Sequence, residues 1–271
     1  MLKHMLKKSV LLPSILIGSL GFASIANATI VEFITSQGRI EVNLFDQTTP
    51  KTVENFLTYL DDGHYTNSVI HRVAPDFVVQ GGGYEFSGEW PLVRKNTNTA
   101  VINEPVYSNV KGTIAMAKIG GLPNSATDQW FFNLSDNSSN LDLQNSGFTV
   151  FGQVIGDGMA VIEKIAQLKL CDKTVNGDGT PVVVDHDIQK CTEIVAPSFE
   201  NFVVIEHITI IDSSEVTDAD LTPVKNTLIT TEPEPPTIPT TPSNGSGGGS
   251  FTWLSLFALA IFAAKKRLIK S

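Results

Sequence analysis

Residues 65–83 read Tyr65-Thr66-Asn67-Ser68-Val69-Ile70-His71-Arg72-Val73-Ala74-Pro75-Asp76-Phe77-Val78-Val79-Gln80-Gly81-Gly82-Gly83. Two short apolar runs, 68–74 and 77–81, flank a Pro-Asp pair, and this arrangement predicts two strands joined by a turn. If Arg72 and Gln80 lie on neighbouring strands of one hairpin, both side chains can reach the same face. Taken alone, they have a simpler interpretation, since polar residues on half-buried strands usually face solvent.

Short apolar runs separated by turn residues continue on both sides of this stretch, over residues 30–211. Two segments instead have helical periodicity, 50–62 and 158–168. Thr49 is placed to cap the first helix, and Gly63 is placed to end it. The predicted strands are 30–35, 39–45, 68–74, 77–81, 112–116, 130–133, 150–154 and 202–211. This pattern predicts a mainly β fold, a closed eight-stranded antiparallel barrel capped by the two helices.

Residues 65–83 resemble the signature of cyclophilin-type peptidyl-prolyl cis-trans isomerases, and the resemblance continues in order along the chain. The further matching motifs are Gly112-Thr113-Ile114-Ala115-Met116-Ala117, Ser125-Ala126-Thr127-Asp128-Gln129-Trp130-Phe131-Phe132 and Phe148-Thr149-Val150-Phe151-Gly152-Gln153-Val154. An ordered set of motifs is more specific than any one of them. The resemblance implies a cyclophilin-like barrel and isomerase activity for residues 29–212.

The resemblance gives Arg72 the place of the family's catalytic arginine, whose guanidinium donates toward the prolyl amide nitrogen. A donor there localises the nitrogen lone pair and removes amide resonance, which causes the rotation barrier of roughly 18–20 kcal/mol. Gln80 and Gln129 match the polar positions that hold the substrate carbonyl and order the arginine. His71 is assigned a structural hydrogen-bonding role. The resemblance implies no metal and no other cofactor.

An apolar pocket that grips the proline ring is the second part of the implied site. Its substrate-binding positions, with the neighbouring stretch whose backbone receives the peptide, are Phe77, Val78, Phe131, Leu141, Phe148, Met116, Ala117 and Lys118. The chain departs from the family pattern where Lys118 replaces an asparagine, Asn140 a tryptophan, Phe148 a histidine and Asp76 a glycine. These changes resemble the bacterial periplasmic branch and weaken the expectation of tight cyclosporin binding.

Charge and motif content exclude other classes of function. The chain of 271 residues has a formal net charge of -9, and an acidic surface repels phosphate backbones, so we expect no nucleic-acid partner. The sequence contains no H-E-x-x-H, no G-x-S-x-G and no Walker loop, which argues against several hydrolase and nucleotide-binding classes. The expected partners are proline-containing polypeptides, and the expected state is a monomer.

Both chain ends have the pattern of targeting segments. Residues 1–28 have a basic start, an apolar run and the sequence Ala26-Asn27-Ala28, which together predict a signal peptide. Residues 213–250 are rich in Pro, Thr and Gly and predict a linker. Residues 251–271 combine a short apolar helix with the basic sequence Lys265-Lys266-Arg267.

The glycine-rich, apolar and basic segments follow one another in the order of a GlyGly-CTERM sorting tail, which they resemble. This resemblance implies cleavage by a rhomboid-like intramembrane protease, a rhombosortase, whereas a plain C-terminal anchor is the alternative. We therefore expect an exported protein of the periplasm or cell surface that is at least transiently held to the membrane by its C-terminal helix.

Cys171 and Cys191 are the only cysteines in the chain. Since an exported chain meets an oxidising compartment, we expect them to form a structural disulfide. Acidic residues between them, among them Asp172, Asp178 and Asp185, suggest a calcium site, but their spacing does not fit the EF-hand pattern. We interpret the segment as an acidic surface loop.

Two hypotheses for the function follow. The first is an isomerase that accelerates Xaa-Pro isomerisation in other exported proteins, a step that takes tens to hundreds of seconds uncatalysed. The second is a peptide-binding chaperone or surface adaptor that uses the same groove without useful turnover, and it is motivated by the altered residues Lys118, Asn140 and Phe148. Only the first hypothesis requires Arg72 for activity.

Overall fold

The computed structural model describes residues 29–213 and 221–229. These residues cover the whole of the predicted isomerase segment. The predicted signal peptide, most of the predicted linker and the predicted C-terminal helix with its basic end lie outside them. Within the described ranges, no helix has the length and hydropathy needed to cross a membrane.

Eleven strands of the described ranges form one antiparallel sheet. They are β1 (Ile30–Thr35), β2 (Gly38–Leu44), β3 (Ser68–Val69), β4 (Arg72–Ala74), β5 (Val78–Gly81), β6 (Tyr84–Glu85), β7 (Val93–Arg94), β8 (Thr113–Met116), β9 (Trp130–Asn133), β10 (Val150–Ile155) and β13 (Val204–Asp212). Their order in the sheet is β4-β5-β9-β8-β10-β2-β1-β13-β3-β6-β7. The remaining strands, β11 (Lys169–Cys171) and β12 (Thr180–Val182), form a separate hairpin.

The prediction of a closed eight-stranded barrel was wrong, although the mainly β, antiparallel character was correct. The predicted strand 68–74 is split, because its two halves have different partners. The first half pairs with β13, and the N–H of Ile70 still donates to the carbonyl of Val203. The second half pairs with β5, beginning with the N–H of His71, which donates to the carbonyl of Gln80. The sheet is therefore curled but open, and β6 and β7 extend it beyond β3.

The two predicted helices are present as α1 (Pro50–Asp61) and α3 (Gly158–Ala166), and a short helix, α2 (Ser138–Leu141), lies between them in the chain. Gly63 ends α1 as predicted, with φ +67 and its N–H donating to Leu60. The side chain of Thr49 does not cap α1, since its hydroxyl donates backward to the carbonyl of Phe45. Glu104 caps the helix instead, accepting from the N–H of Thr52 at 2.9 Å, because a carboxylate is stabilised at a helix N-terminus.

Side chains along β8, β9 and β10 alternate between two apolar clusters. Phe132 and Phe151 belong to the main core, where Phe33 contacts Trp130 and Phe132 edge-on. The residue preceding Phe132, Phe131, points to the opposite face and belongs to a second cluster. This alternation follows from the two-residue period of a strand. The main core thus fixes the backbone whose other face carries the candidate site.

Residues 221–229, which we name the C-terminal strap, pack back onto the domain. Lys225 forms a β-bridge with Tyr107. The side chain of Asn226 is buried and donates to the carbonyl of Asp142 at 3.1 Å. Leu221 packs against the second apolar cluster, the one that contains Phe131. Part of the sequence predicted as linker is therefore in contact with the β-sheet domain.

Candidate active site

Register places three of the predicted site residues in a row across neighbouring strands. Arg72 on β4 is opposite Gln80 on β5, and Gln80 is opposite Phe131 on β9. Directly opposed residues of an antiparallel pair have their side chains on the same face. The guanidinium Nη1 of Arg72 donates to Oε1 of Gln80 at 3.1 Å, and Nε2 of Gln80 donates to Oε1 of Gln129 at 2.9 Å. A chain of polar contacts therefore fixes the amides beside the guanidinium.

The apolar residues of the predicted site lie together. Val78, Phe131 and Leu141 are buried members of the second apolar cluster, and Phe77, Ala117 and Phe148 pack against it while partly exposed. The rings of Phe131 and Phe148 meet edge-on with centroids 5.8 Å apart. An apolar wall with exposed edges, next to one guanidinium and two amides, has the composition of a small ligand site.

Met116 is the one predicted site residue whose side chain lies elsewhere. It is completely buried in the main core, because it alternates on β8 with Ala115, which is opposite Phe131. Only the backbone of Met116 can take part in a site on the Phe131 face. The next residue, Ala117, is on the site side, and its N–H donates to the carbonyl of Gln129 at 2.9 Å.

Lys118 closes one side of the apolar wall. Its ammonium donates to the carbonyls of Asn145 and Gly147 and lies 4.8 Å from the centroid of the Phe148 ring. Burial lowers the pKa of Lys118 to about 8. Lys118 also lines a cavity of about 290 Å³, together with Arg94 and the two amide side chains of Gln80 and Gln129. This side of the site is therefore cationic.

His71 supports the site from behind. Burial lowers its pKa to about 4, so the imidazole is neutral near pH 7. Its ring packs on Tyr84 with centroids 4.6 Å apart, and its backbone carbonyl accepts from the hydroxyl of Thr180. Among the residues that the structure describes, none forms a hydrogen bond with Nδ1 of His71. The structural hydrogen-bonding role of the His71 ring stays a prediction.

Asp178 is a contact of Arg72 that the sequence reasoning missed. Its Oδ2 accepts from Nε of Arg72 at 3.0 Å and from Nη2 at 2.6 Å. The sequence pattern places it in an acidic surface loop, yet its side chain is only 19% exposed. The only signal in the sequence was the cysteine pair that closes the surrounding loop. Cys171 and Cys191 form a disulfide in the structure.

Comparison with known proteins gives a consistent family assignment. Residues 30–193 match the family model described as cyclophilin type peptidyl-prolyl cis-trans isomerase/CLD. A peptidyl-prolyl cis-trans isomerase of Acinetobacter baylyi is 37% identical over 168 residues, which cover 60% of this chain and 84% of that protein. Peptidyl-prolyl cis-trans isomerase B of Escherichia coli is 41% identical over 141 residues, covering 50% of this chain and 82% of that protein.

Among solved structures, a cyclophilin type isomerase of Cryptosporidium parvum is 21% identical, with a TM-score of 0.47. That match covers 68% of this chain and 98% of the other.

Proposed function

The chain belongs to the cyclophilin-type peptidyl-prolyl cis-trans isomerase family and is an enzyme of that class; on this basis we propose that Arg72 is its catalytic residue and that exported proteins are its substrates. Family membership implies proline-containing peptides as the substrate class. The observation that carries the proposal is the row of Arg72, Gln80 and Phe131 across three strands, beside an apolar wall that would hold the proline ring.

In the proposed mechanism, Arg72 acts on the prolyl nitrogen and no covalent bond breaks. A planar amide nitrogen is a poor hydrogen-bond acceptor, because its lone pair is delocalised into the carbonyl. In the twisted state the lone pair is localised on nitrogen and can accept from the guanidinium. The interaction is thus stronger in the transition state than in either ground state, which is the condition for acceleration.

Gln80 and the apolar wall hold the two ends of the rotating bond. The wall of Val78, Phe131 and Leu141 would hold the proline ring, while the Gln80 amide, fixed by Gln129, would bind a substrate carbonyl. With the ring held, rotation moves the residue that precedes proline. Phe148 and Lys118 form the rim over which the peptide would lie.

We further propose that the enzyme works outside the cytoplasm. Support comes from the signal-peptide pattern of residues 1–28 and from the disulfide between Cys171 and Cys191, which is typical of oxidising compartments. In this proposal, the tail at 251–271 is a sorting signal that holds the protein at the membrane until a rhombosortase-like protease cleaves it, and the enzyme acts as a monomer.

The test is a cis-to-trans isomerisation assay in which the full-length protein acts on a short Xaa-Pro peptide. We expect Arg72→Ala to lower kcat/KM by about 100-fold, the usual cost of removing one transition-state donor. Arg39→Ala is the matched control, because Arg39 pairs with Glu32 at an exposed position away from the site. If Arg72→Ala keeps the wild-type rate, the proposed mechanism is wrong. If it binds peptide normally but is slow, binding and catalysis are separate, as the mechanism requires.

A further inference from the structure

The ion pair between Arg72 and Asp178 connects the row of Arg72, Gln80 and Phe131 to the loop between β11 and β12. One carboxylate oxygen, Oδ2, accepts from both Nε and Nη2 of Arg72. The two side chains are 34% and 19% exposed, so this ion pair is partly shielded from water. Charge-assisted hydrogen bonds of this kind are shorter and about twice as strong as those between neutral groups.

The backbone holds Asp178 in this place from both sides. Gly179, the next residue, forms two backbone hydrogen bonds with Val73, the neighbour of Arg72, at 2.8 and 3.0 Å. The carbonyl of Asp178 accepts from the N–H of Thr174 at 2.7 Å. Gly179 must lack a side chain, because a Cβ there would lie 2.7 Å from the carbonyl of Cys171.

The loop that carries Asp178 is itself anchored at its base. The strands β11 and β12, which flank the loop, pair with each other, and the loop lies within the segment closed by the disulfide from Cys171 to Cys191. The N–H of Asp172 donates to the carbonyl of Gln189 at 2.8 Å, which draws the two ends of the enclosed segment together. Asp178 is therefore placed by covalent and backbone constraints before any substrate binds.

The hydrogen-bond inventory of Arg72 shows what this placement leaves over. A guanidinium has five N–H donors. Asp178 takes one on Nε and one on Nη2, and Gln80 takes one on Nη1. Within the ranges 29–213 and 221–229, no other acceptor bonds to this guanidinium. One N–H on Nη1 and one on Nη2 are left. These two donors remain available to a ligand, while Asp178 and Gln80 hold the other three.

We propose that Asp178 is a positioning residue for catalysis: together with Gln80 it fixes the guanidinium of Arg72 in the orientation that presents its two remaining donors to the prolyl amide. This inference rests on the proposed role of Arg72. A partly exposed arginine samples many rotamers. Fixing one of them only in the transition state would cost side-chain conformational entropy and raise the activation barrier. Asp178 removes that cost by ordering Arg72 in the free enzyme. The substrate itself does not contact Asp178.

The experiment compares Asp178→Asn, Asp178→Ala and Asp178→Glu in the full chain, with kcat and KM measured separately on one Xaa-Pro peptide. We expect Asp178→Ala to lower kcat about 10- to 100-fold, the scale of loss when a reacting group is misplaced, with KM changed less than threefold. Asp178→Asn keeps the shape of the side chain but loses its charge, so its kcat should lie between those of the wild type and Asp178→Ala. Asp178→Glu keeps the charge, so its kcat should be higher than that of Asp178→Ala. Asp185→Asn is the control in the same disulfide-enclosed segment, since Asp185 is 99% exposed and pairs with His186.

A double-mutant cycle with Arg72→Ala separates positioning from a general structural role. If Asp178 acts through Arg72, adding Asp178→Ala to Arg72→Ala changes kcat less than twofold. If it merely supports the fold, the loss is the same in both backgrounds, and the inference is overturned. Full activity of Asp178→Ala beside an inactive Arg72→Ala would overturn this inference alone. An active Arg72→Ala would instead overturn the proposed function on which it rests.

Discussion

Replacing both Cys171 and Cys191 with serine tests how the loop that carries Asp178 is held. The disulfide joins residues separated by 20 positions. In the chain-entropy model, opening a loop of that length lowers the free energy of unfolding by about 3 kcal/mol. For a urea m value of about 2 kcal/mol per M, the unfolding midpoint would fall by about 1.5 M. The hairpin of β11 and β12 remains, so we expect the fold to persist.

The assay is urea unfolding followed by fluorescence, with and without reductant, together with isomerase activity in the absence of urea. Reduced wild type should match the double variant C171S/C191S in its midpoint, and reductant should not change that variant. We also expect kcat to fall more than KM rises, since a looser loop holds Asp178 less well. A midpoint shift below about 0.5 M, equivalent to about 1 kcal/mol at that m value, would refute the reasoning. It would mean that backbone hydrogen bonds, such as those between Gly179 and Val73, already define the loop.

Two further predictions concern stability. Asn226→Ala removes a buried side chain that donates to the carbonyl of Asp142 and accepts from the N–H of Leu228. We expect urea unfolding to show a free energy of unfolding lower by about 1–3 kcal/mol. Lys225→Ala, at an exposed position of the C-terminal strap, should lower it little, and equal losses in the two variants would contradict this account. Because burial lowers the pKa of His71 to about 4 from an ordinary 6.5 or so, the unfolded chain binds the proton more tightly. Stability should therefore fall as pH decreases from about 6.5 toward 4; a His71→Gln variant with the same pH dependence in that window would show that other groups cause the decline.

Sequence alone predicted which side chains lie together where the contacts are local or set by strand register. Arg72 and Gln80 are eight positions apart in one hairpin, and a turn after Ala74 is sufficient to place them opposite each other. Phe131 was found because family motifs fix its strand, and the two-residue period then chooses its face. The same period places the side chain of Met116 in the main core, since Met116 lies one position from Ala115 and thus on the other face.

Contacts between distant segments could not be predicted, because loop packing determines them. Glu104 caps a helix that begins more than fifty positions earlier, and no local pattern links the two. Asp178 meets Arg72 across 106 positions, and it lies between Gly177 and Gly179 in a sequence typical of an exposed turn. The open edge of the sheet has a similar origin: the change of partner between Ile70 and His71 depends on where β13 and β5 lie, and not on residues 68–74 themselves.

The C-terminal strap has a consequence for whatever follows it in the chain. Ile229 covers Gly147 so closely that a Cβ on that glycine would lie 2.6 Å from its Cδ1, and Gly147 is the immediate neighbour of Phe148 at the pocket rim. Ile229, the last residue that the structure describes, therefore lies against the pocket rim, and the sequence continues from it. The first proline after it, Pro233, is four residues on, a contour length of at most about 14 Å. In the sequence, Xaa-Pro bonds that begin with Glu232-Pro233 therefore follow within a few residues of the side chain that covers the pocket rim.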